Sequence, residues 1–155
     1  MAITSAICNS FKQEILVEGH NFTNGTDAFK LALYSSNSAT LSKSTTVYTA
    51  PTDGTADPTN TYEVTSTSSG YTTGGNALTS TTPVLSGDTA CCKFADTSWG
   101  SSASFTARGC LIYNSTNANK AVCAINFGSD KTVTSGTFTI QFPAQTAGNA
   151  IIQIA

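Results

Sequence analysis

Alternation of apolar and polar positions recurs along most of the chain, and its period of two indicates β-strands. The clearest cases are Phe29–Tyr34 and Ser135–Phe142, where bulky apolar residues occupy every second position. We expect further strands at Thr89–Asp96, Ser102–Asn114 (bent at Gly109), Ala121–Phe127 and Ala150–Ile154. About seven or eight short strands separated by turns favour a sandwich or jelly roll. The pattern therefore predicts one mainly β domain over residues 1–155, a β-sandwich or jelly-roll-like fold with a short N-terminal helix.

The N-terminal segment shows a different period. Ile3, Ile7, Phe11 and Ile15 recur at helical spacing, and Gly19 is a stop signal. This pattern predicts an amphipathic helix over residues 4–18. Its apolar stripe either packs on the sheet of its own domain or docks on a neighbouring subunit. On the second interpretation, the candidate protein-interface residues are Ile7, Phe11 and Ile15.

Residues 35–63 have few apolar positions and several turn signals, among them Asp53-Gly54 and Asp57-Pro58. We expect a long exposed loop, with one short strand near residues 45–49. Loops of this length usually have a function. Tyr48 and Tyr62 in this loop are further candidate interface residues. Together with Tyr71 they either form an exposed sugar-binding surface or pack the loop against the sheet.

The composition narrows the classes of partner. Only 10% of the 155 residues are charged, against about 25% in typical domains. Seven basic and nine acidic residues leave a net charge of −2, whereas phosphate binding needs a basic stripe. We therefore expect neither nucleic acid nor a membrane as partner. The first residues lack the basic and unbroken apolar parts of a secretion signal, so we expect folding in a cytoplasm.

Candidate chemistry is sparse. Leu111–Tyr113 and Ala121–Cys123 flank an Asn-rich connection, which predicts a β-hairpin with Cys110 near Cys123. The five cysteines lack zinc spacing, and buried free thiols are favoured over a disulfide such as Cys110–Cys123 or a metal site. His20 is the single histidine, and a structural role is favoured over service as base to a cysteine nucleophile. We expect no enzymatic activity and no cofactor.

Two further residues have open alternatives. For Arg108, an ion pair with Asp96 or Asp130, or simple solvent exposure, is favoured over an anion site. Trp99 is either a core residue or an interface anchor, and core packing is favoured.

Four phrases of the chain carry a resemblance: ICNSFKQEIL (Ile7–Leu16), FKLALY (Phe29–Tyr34), FTARGCLIYN (Phe105–Asn114) and GTFTIQFP (Gly136–Pro143). Together and in this order, they resemble a family of small tailed-bacteriophage virion structural proteins. The resemblance covers most of the chain and is weakest over residues 35–63. The cysteines at positions 91, 92, 110 and 123 also depart from it.

The resemblance implies a capsid cement or decoration protein. Such proteins are compact β-domains, commonly homotrimers, that bind the major capsid protein and stabilise the expanded lattice. Localisation would be the virion, after assembly in the host cytoplasm. The alternative is a tail, baseplate or fibre module that binds a host receptor or glycan.

Overall fold

The computed structural model describes residues 2–35, 39–50, 62–65, 68 and 70–155. It is mainly β, with two antiparallel sheets and one short helix, consistent with a β-sandwich-like fold. The helix is α1 (Asn9–Glu14), and a 3-10 helix (Ile15–Val17) follows it directly. The strands are β1 (Ala6–Ile7), β2 (Phe29–Tyr34), β3 (Asn76–Leu78), β4 (Ser80–Ser86), β5 (Thr89–Phe94), β6 (Thr97–Asn114), β7 (Lys120–Ile140) and β8 (Ile152–Ile154).

The two sheets differ in size. The large sheet has the strand order β1-β7-β6-β2-β3, and the small sheet has the order β4-β5-β8. β2 lies where the alternation predicted it, and it pairs with β6 over its whole length, from Phe29 opposite Asn114 to Tyr34 opposite Gly109. The expected β5 and β8 are present but shorter than the predicted ranges.

A cluster of aromatic side chains packs the two sheets together. Phe94 of the small sheet is fully buried, and its ring centroid lies 5.4 Å from that of Phe29 in the large sheet. Phe22 stacks on Phe29 at 4.5 Å, and Phe142 lies 5.5 Å from Phe94. Full burial of one such side chain stabilises a fold by about 1.5–3 kcal/mol, so this cluster is a major part of the sandwich core.

The hairpin of β6 and β7 is longer than the sequence pattern indicated. Residues 121–127 and 135–142 were expected as separate strands, but residues 121–127 and 135–140 belong to the single strand β7, which ends at Ile140. Between the pairs Ala107–Lys131 and Gly109–Asn126, β6 has one residue and β7 has four, which makes a large bulge. Gly109 permits the close approach there, because a Cβ would lie 2.5 Å from the Ile125 carbonyl oxygen. The predicted bend at Gly109 is therefore a register shift within one hairpin.

The prediction of a helix over residues 4–18 is wrong at its start. Ala6 and Ile7 are extended and pair with Ala124 and Cys123 at the edge of the large sheet, so the helix begins only at Asn9. Main-chain hydrogen bonds to β7 stabilise the extended conformation of these residues. Helix formation stabilises so short a segment only weakly, so the helical periodicity does not decide its structure.

The described part of residues 35–63 is a loop that is exposed at many positions, as expected, but several of its side chains are buried against the large sheet. Ala39, Leu41, Tyr48 and Glu63 are buried, and the Tyr48 ring stacks on Tyr113 of β6 at 4.3 Å. This segment covers the face of the large sheet that the small sheet leaves open, which is why β2 is buried on both faces. The strand expected near residues 45–49 is one bridge, from Val47 to Lys120. Residues 36–38 and 51–61 lie outside the described residues.

Candidate functional site

The structure separates the five candidate interface residues into two groups. Phe11 is 2% exposed and packs against the rings of His20 and Phe22, and Tyr48 is 5% exposed. Neither side chain is available to a partner in this fold, so the interface role expected of these two residues is not supported. The other three, Ile7, Ile15 and Tyr62, are half-buried and pack against the core. Their interface role stays a prediction.

The structure also distinguishes the two alternatives for the tyrosines, an exposed sugar-binding surface and packing against the sheet. Tyr71 is buried like Tyr48, and its ring packs near Trp99 and Phe105. Packing of tyrosines against the sheet is therefore confirmed for Tyr48 and Tyr71. Trp99 is buried in the same aromatic cluster, which confirms its core placement.

A buried carboxylate is the most unusual polar feature of the described residues. Glu63 is 5% exposed, and each of its oxygens accepts hydrogen bonds from neighbouring segments. Oε2 accepts from the Tyr48 hydroxyl at 2.9 Å. Oε1 accepts from the Tyr71 hydroxyl at 2.7 Å and from the Gly74 amide at 2.6 Å. Gly74 in turn accepts a hydrogen bond from the Tyr113 hydroxyl through its carbonyl oxygen, at 2.9 Å.

These contacts fasten the covering segments to the large sheet. The Tyr71 oxygen also accepts the Leu33 amide of β2 at 3.0 Å, so one tyrosine joins the carboxylate to the centre of the sheet. Gly74 has a φ of 90°, which favours glycine, and this conformation directs its amide to Glu63. We call Glu63, Tyr48, Tyr71 and Gly74 the carboxylate clasp.

The electrostatics of the clasp follow from its burial. Burial raises the pKa of the Glu63 carboxyl above its ordinary value of 4.5, and the hydrogen bonds from Tyr71, Gly74 and Tyr48 oppose this only in part. Burial, followed by the neighbouring Glu63 charge, raises the pKa of both tyrosines and that of Tyr113, the last to about 12. Among the described residues, Glu63 has no ion pair with a cationic side chain. The clasp therefore holds a carboxyl whose charge has hydrogen-bond donors but no counter-ion.

A second polar cluster surrounds His20. Its Nε2 lies 2.8 Å from Glu14 Oε2, and its Nδ1 lies 3.2 Å from the Asn114 side-chain nitrogen. The orientation of the Asn114 amide follows from its oxygen, which accepts the amides of Thr116 and Asn117. The Asn114 nitrogen is therefore the donor, His20 Nδ1 accepts, and Nε2–H donates to Glu14. This arrangement describes a neutral histidine with a defined tautomer.

The His20 cluster joins the N-terminal segment to the turn of the long hairpin. The Asn114 side chain, which is fully buried, also donates to Asp27 at 2.7 Å, and Lys120 lies 3.6 Å from Glu14. No thiol is among the His20 hydrogen-bond partners in the described part of the chain, and both ring nitrogens are already occupied. The geometry agrees with the structural role expected of His20.

All five cysteines are free. Cys8, Cys91, Cys110 and Cys123 are buried and Cys92 is half-buried, which confirms the prediction of buried free thiols for four of the five. Burial raises the pKa of the Cys123 thiol to about 12 and that of Cys92 to about 11. Raised pKa values make these thiols poor nucleophiles at neutral pH.

The predicted ion pair of Arg108 is present. Its guanidinium lies 3.4 Å from the Asp130 carboxylate at the edge of the hairpin bulge. Both side chains are partly exposed, so the pair contributes little to stability.

Exposed aliphatic side chains form two surfaces that lie outside the predicted interface residues. On the small sheet, Leu85 lies opposite Ala90, and Ala90 lies opposite Ile154. Directly opposed residues share a face, so these three form one row across the sheet, which we call the aliphatic row. Leu85 is 77% exposed and Ile154 is 54% exposed.

The second surface is the tip of the 3-10 helix. Leu16 is 83% exposed and Val17 is 71% exposed. The sequence left two alternatives for the stripe of Phe11 and Ile15, packing on its own domain or docking on a neighbouring subunit. In the structure Phe11 is buried and Ile15 is half-buried against the core, whereas the two residues just after the stripe are exposed.

Three further findings bear on function. Within the described ranges, no group of three or more His, Cys, Asp or Glu side chains is placed to hold a metal ion. No helix among the described residues is long and apolar enough to cross a membrane. Comparison of the chain with protein-family models, curated proteins and solved structures finds no match.

Proposed function

We propose that the chain is a phage virion structural protein, a capsid cement protein that binds the capsid lattice through the aliphatic row. The observation that carries the proposal is the exposure of Leu85 and Ile154 on either side of Ala90, in one row on one face of the small sheet. Contiguous exposed apolar surface on a soluble domain marks a site of protein contact. The resemblance of four phrases of the sequence to tailed-phage virion proteins supplies the kind of partner, the major capsid protein.

The surroundings of the row suit a dry protein contact. β4 and β8, the strands that carry Leu85 and Ile154, contain no charged residue. The nearest acid in sequence is Asp88, in the turn between β4 and β5. Depletion of charge at the centre of a contact avoids the cost of burying an unpaired ion.

The proposed mechanism is thermodynamic linkage between binding of this protein and the stability of the capsid. A protein that binds the expanded lattice, but not the procapsid or loose subunits, stabilises that lattice by its binding free energy. The clasp and the aromatic core keep the domain rigid, so little conformational entropy is lost when it binds.

Cosedimentation with purified capsids tests the proposal. The chain is mixed with expanded capsids and with procapsids, and bound protein is measured by gel densitometry. We expect saturable binding to expanded capsids only, and loss of binding by Leu85→Asp and Ile154→Asp. Thr137→Asp, an exposed polar position on β7, is the matched control and binds as the wild type does. Equal binding to procapsids, or undiminished binding by the two row variants, would refute the proposal.

A further inference from the structure

The large sheet has an apolar groove that the aliphatic row does not include. It lies where the bulge bends β7, and its volume is about 500 Å³. Both halves of β7 line it, with Ile125 and Phe127 from one half and Phe138 and Ile140 from the other. These four side chains are half-buried, so each keeps apolar surface open to a partner.

A cation marks the rim of this groove. Lys131 lines it, is exposed, and donates a hydrogen bond to the Ser129 hydroxyl at 3.0 Å. It has no ion pair among the residues that the structure describes. An apolar groove with one unpaired cation is complementary to an aliphatic projection that carries one anion.

The tip of the 3-10 helix has that composition. Leu16 and Val17 are the projecting aliphatic pair, and Glu18 follows at once with an exposed carboxylate. Glu18 is also without an ion pair in the described part of the chain. We call residues 16–18 the tip.

The tip is held in one conformation before any contact forms. The Gly19 amide donates to the Glu14 carbonyl oxygen at 2.7 Å, which closes the end of the helix. The Glu14 side chain is bound to His20 and to Lys120. Because the tip is already ordered, an interface that uses it loses little entropy on binding.

The tip does not reach the groove of its own subunit. Glu14 is fixed beside Lys120 at the start of β7, and Phe127 of the groove lies seven residues further on, roughly 20 Å along the strand. Neither Leu16 nor Val17 lines the groove, and both are exposed. Contact between tip and groove therefore needs two copies of the chain.

We propose that the chain self-associates head to tail, with Leu16 and Val17 of one copy seated in the β7 groove of the next and Glu18 paired with Lys131. The two surfaces are different, so the contact is heterologous and generates a closed ring or an open filament, according to the rotation between copies. The contact forms between copies of the isolated chain and needs no capsid. Its test is therefore independent of the test of the cement proposal.

Sedimentation velocity of the purified chain, at concentrations up to about 1 mM, measures the association. We expect the wild type to associate and Leu16→Ser/Val17→Ser to remain monomeric. Leu85→Ser removes an equally exposed aliphatic side chain elsewhere and is the matched control, with association unchanged. A wild-type chain that stays monomeric, or association that survives the tip substitutions, overturns the proposal.

Charge reversal and mixing test the pairing itself. Glu18→Lys and Lys131→Glu each weaken association about tenfold or more, and the variant with both reversals recovers to within about threefold of the wild type. A mixture of Leu16→Ser/Val17→Ser with Lys131→Glu offers one intact groove and one intact tip, and it forms a dimer that grows no further. Failure of the double reversal to recover, or no dimer in the mixture, would mean that some other contact associates the copies.

Discussion

Replacement of Glu63 by glutamine removes the charge of the carboxylate clasp and keeps a side chain of the same shape in its place. The glutamine oxygen can take the place of Oε1 and accept from Tyr71 and Gly74. The amide nitrogen then donates to the Tyr48 oxygen, whose hydroxyl hydrogen turns away. The variant keeps the shape of the clasp and removes its charge.

The sign of the pH effect follows from the raised pKa of Glu63. A carboxyl whose folded pKa lies above its unfolded value contributes stability that is fully present below the unfolded pKa. That stability is lost as the pH rises through the folded pKa. The wild type should therefore lose stability, relative to Glu63→Gln, as the pH rises from about 4.5. Each unit of pKa difference corresponds to about 1.4 kcal/mol of unfolding free energy.

Urea unfolding from about pH 4 to pH 8, followed by tyrosine and tryptophan fluorescence, measures this difference. Subtraction of the two unfolding free energies at each pH cancels the other titrating groups. Asp88→Asn, which removes an exposed carboxylate in the turn between β4 and β5, is the matched control and should give a flat difference. A wild-type-minus-Gln difference that is flat, or that rises with pH, would refute the raised pKa. Glu63→Ala should destabilise the fold by at least about 3 kcal/mol, because three buried donors lose their acceptor at about 1–3 kcal/mol each.

Three further outcomes are expected. Phe94→Ala should lower the free energy of unfolding, measured in urea, by about 3–5 kcal/mol, since the fully buried ring joins the two sheets. Leu85→Ala, at an exposed position, should change it by less than about 0.5 kcal/mol. Equal effects of the two substitutions would contradict the sandwich core. Asn114→Ala should cost about 2–4 kcal/mol in the same assay, since its buried amide holds the hairpin turn and His20; a neutral result would contradict the cluster. Native protein at neutral pH should react with a thiol-specific reagent slowly and chiefly at Cys92, while unfolded protein exposes all five thiols; rapid reaction of several native thiols would contradict their burial.

The strands of the core were predictable because bulky apolar residues recur at every second position along them. Phe29–Tyr34 was located to the residue, and the hairpin around Asn114 followed from two apolar runs and a polar connection. Such local patterns report the sheet directly. The continuity of β7 was not predictable, because Gly128, Ser129 and Asp130 are residue types common in turns although they lie in a bulge inside one strand.

The carboxylate clasp and the exposed tip were not predictable from the sequence, because both depend on packing between residues that are distant in the chain. Glu63 becomes buried because Tyr48, Tyr71 and Gly74 converge on it from separate positions in the chain. Nothing in the residues beside Glu63 encodes that convergence. The apolar stripe at Phe11 was recognised, but the packing of the helix on the large sheet decided which of its neighbours stayed exposed.

The copy number of the chain in purified virions tests the cement proposal most directly. Quantitative mass spectrometry of clean particles gives the ratio of this chain to the major capsid protein. The proposal predicts a ratio near stoichiometric with the shell, with hundreds of copies in each particle. A dozen or so copies would indicate the tail or baseplate, and absence from clean virions would contradict a virion role altogether.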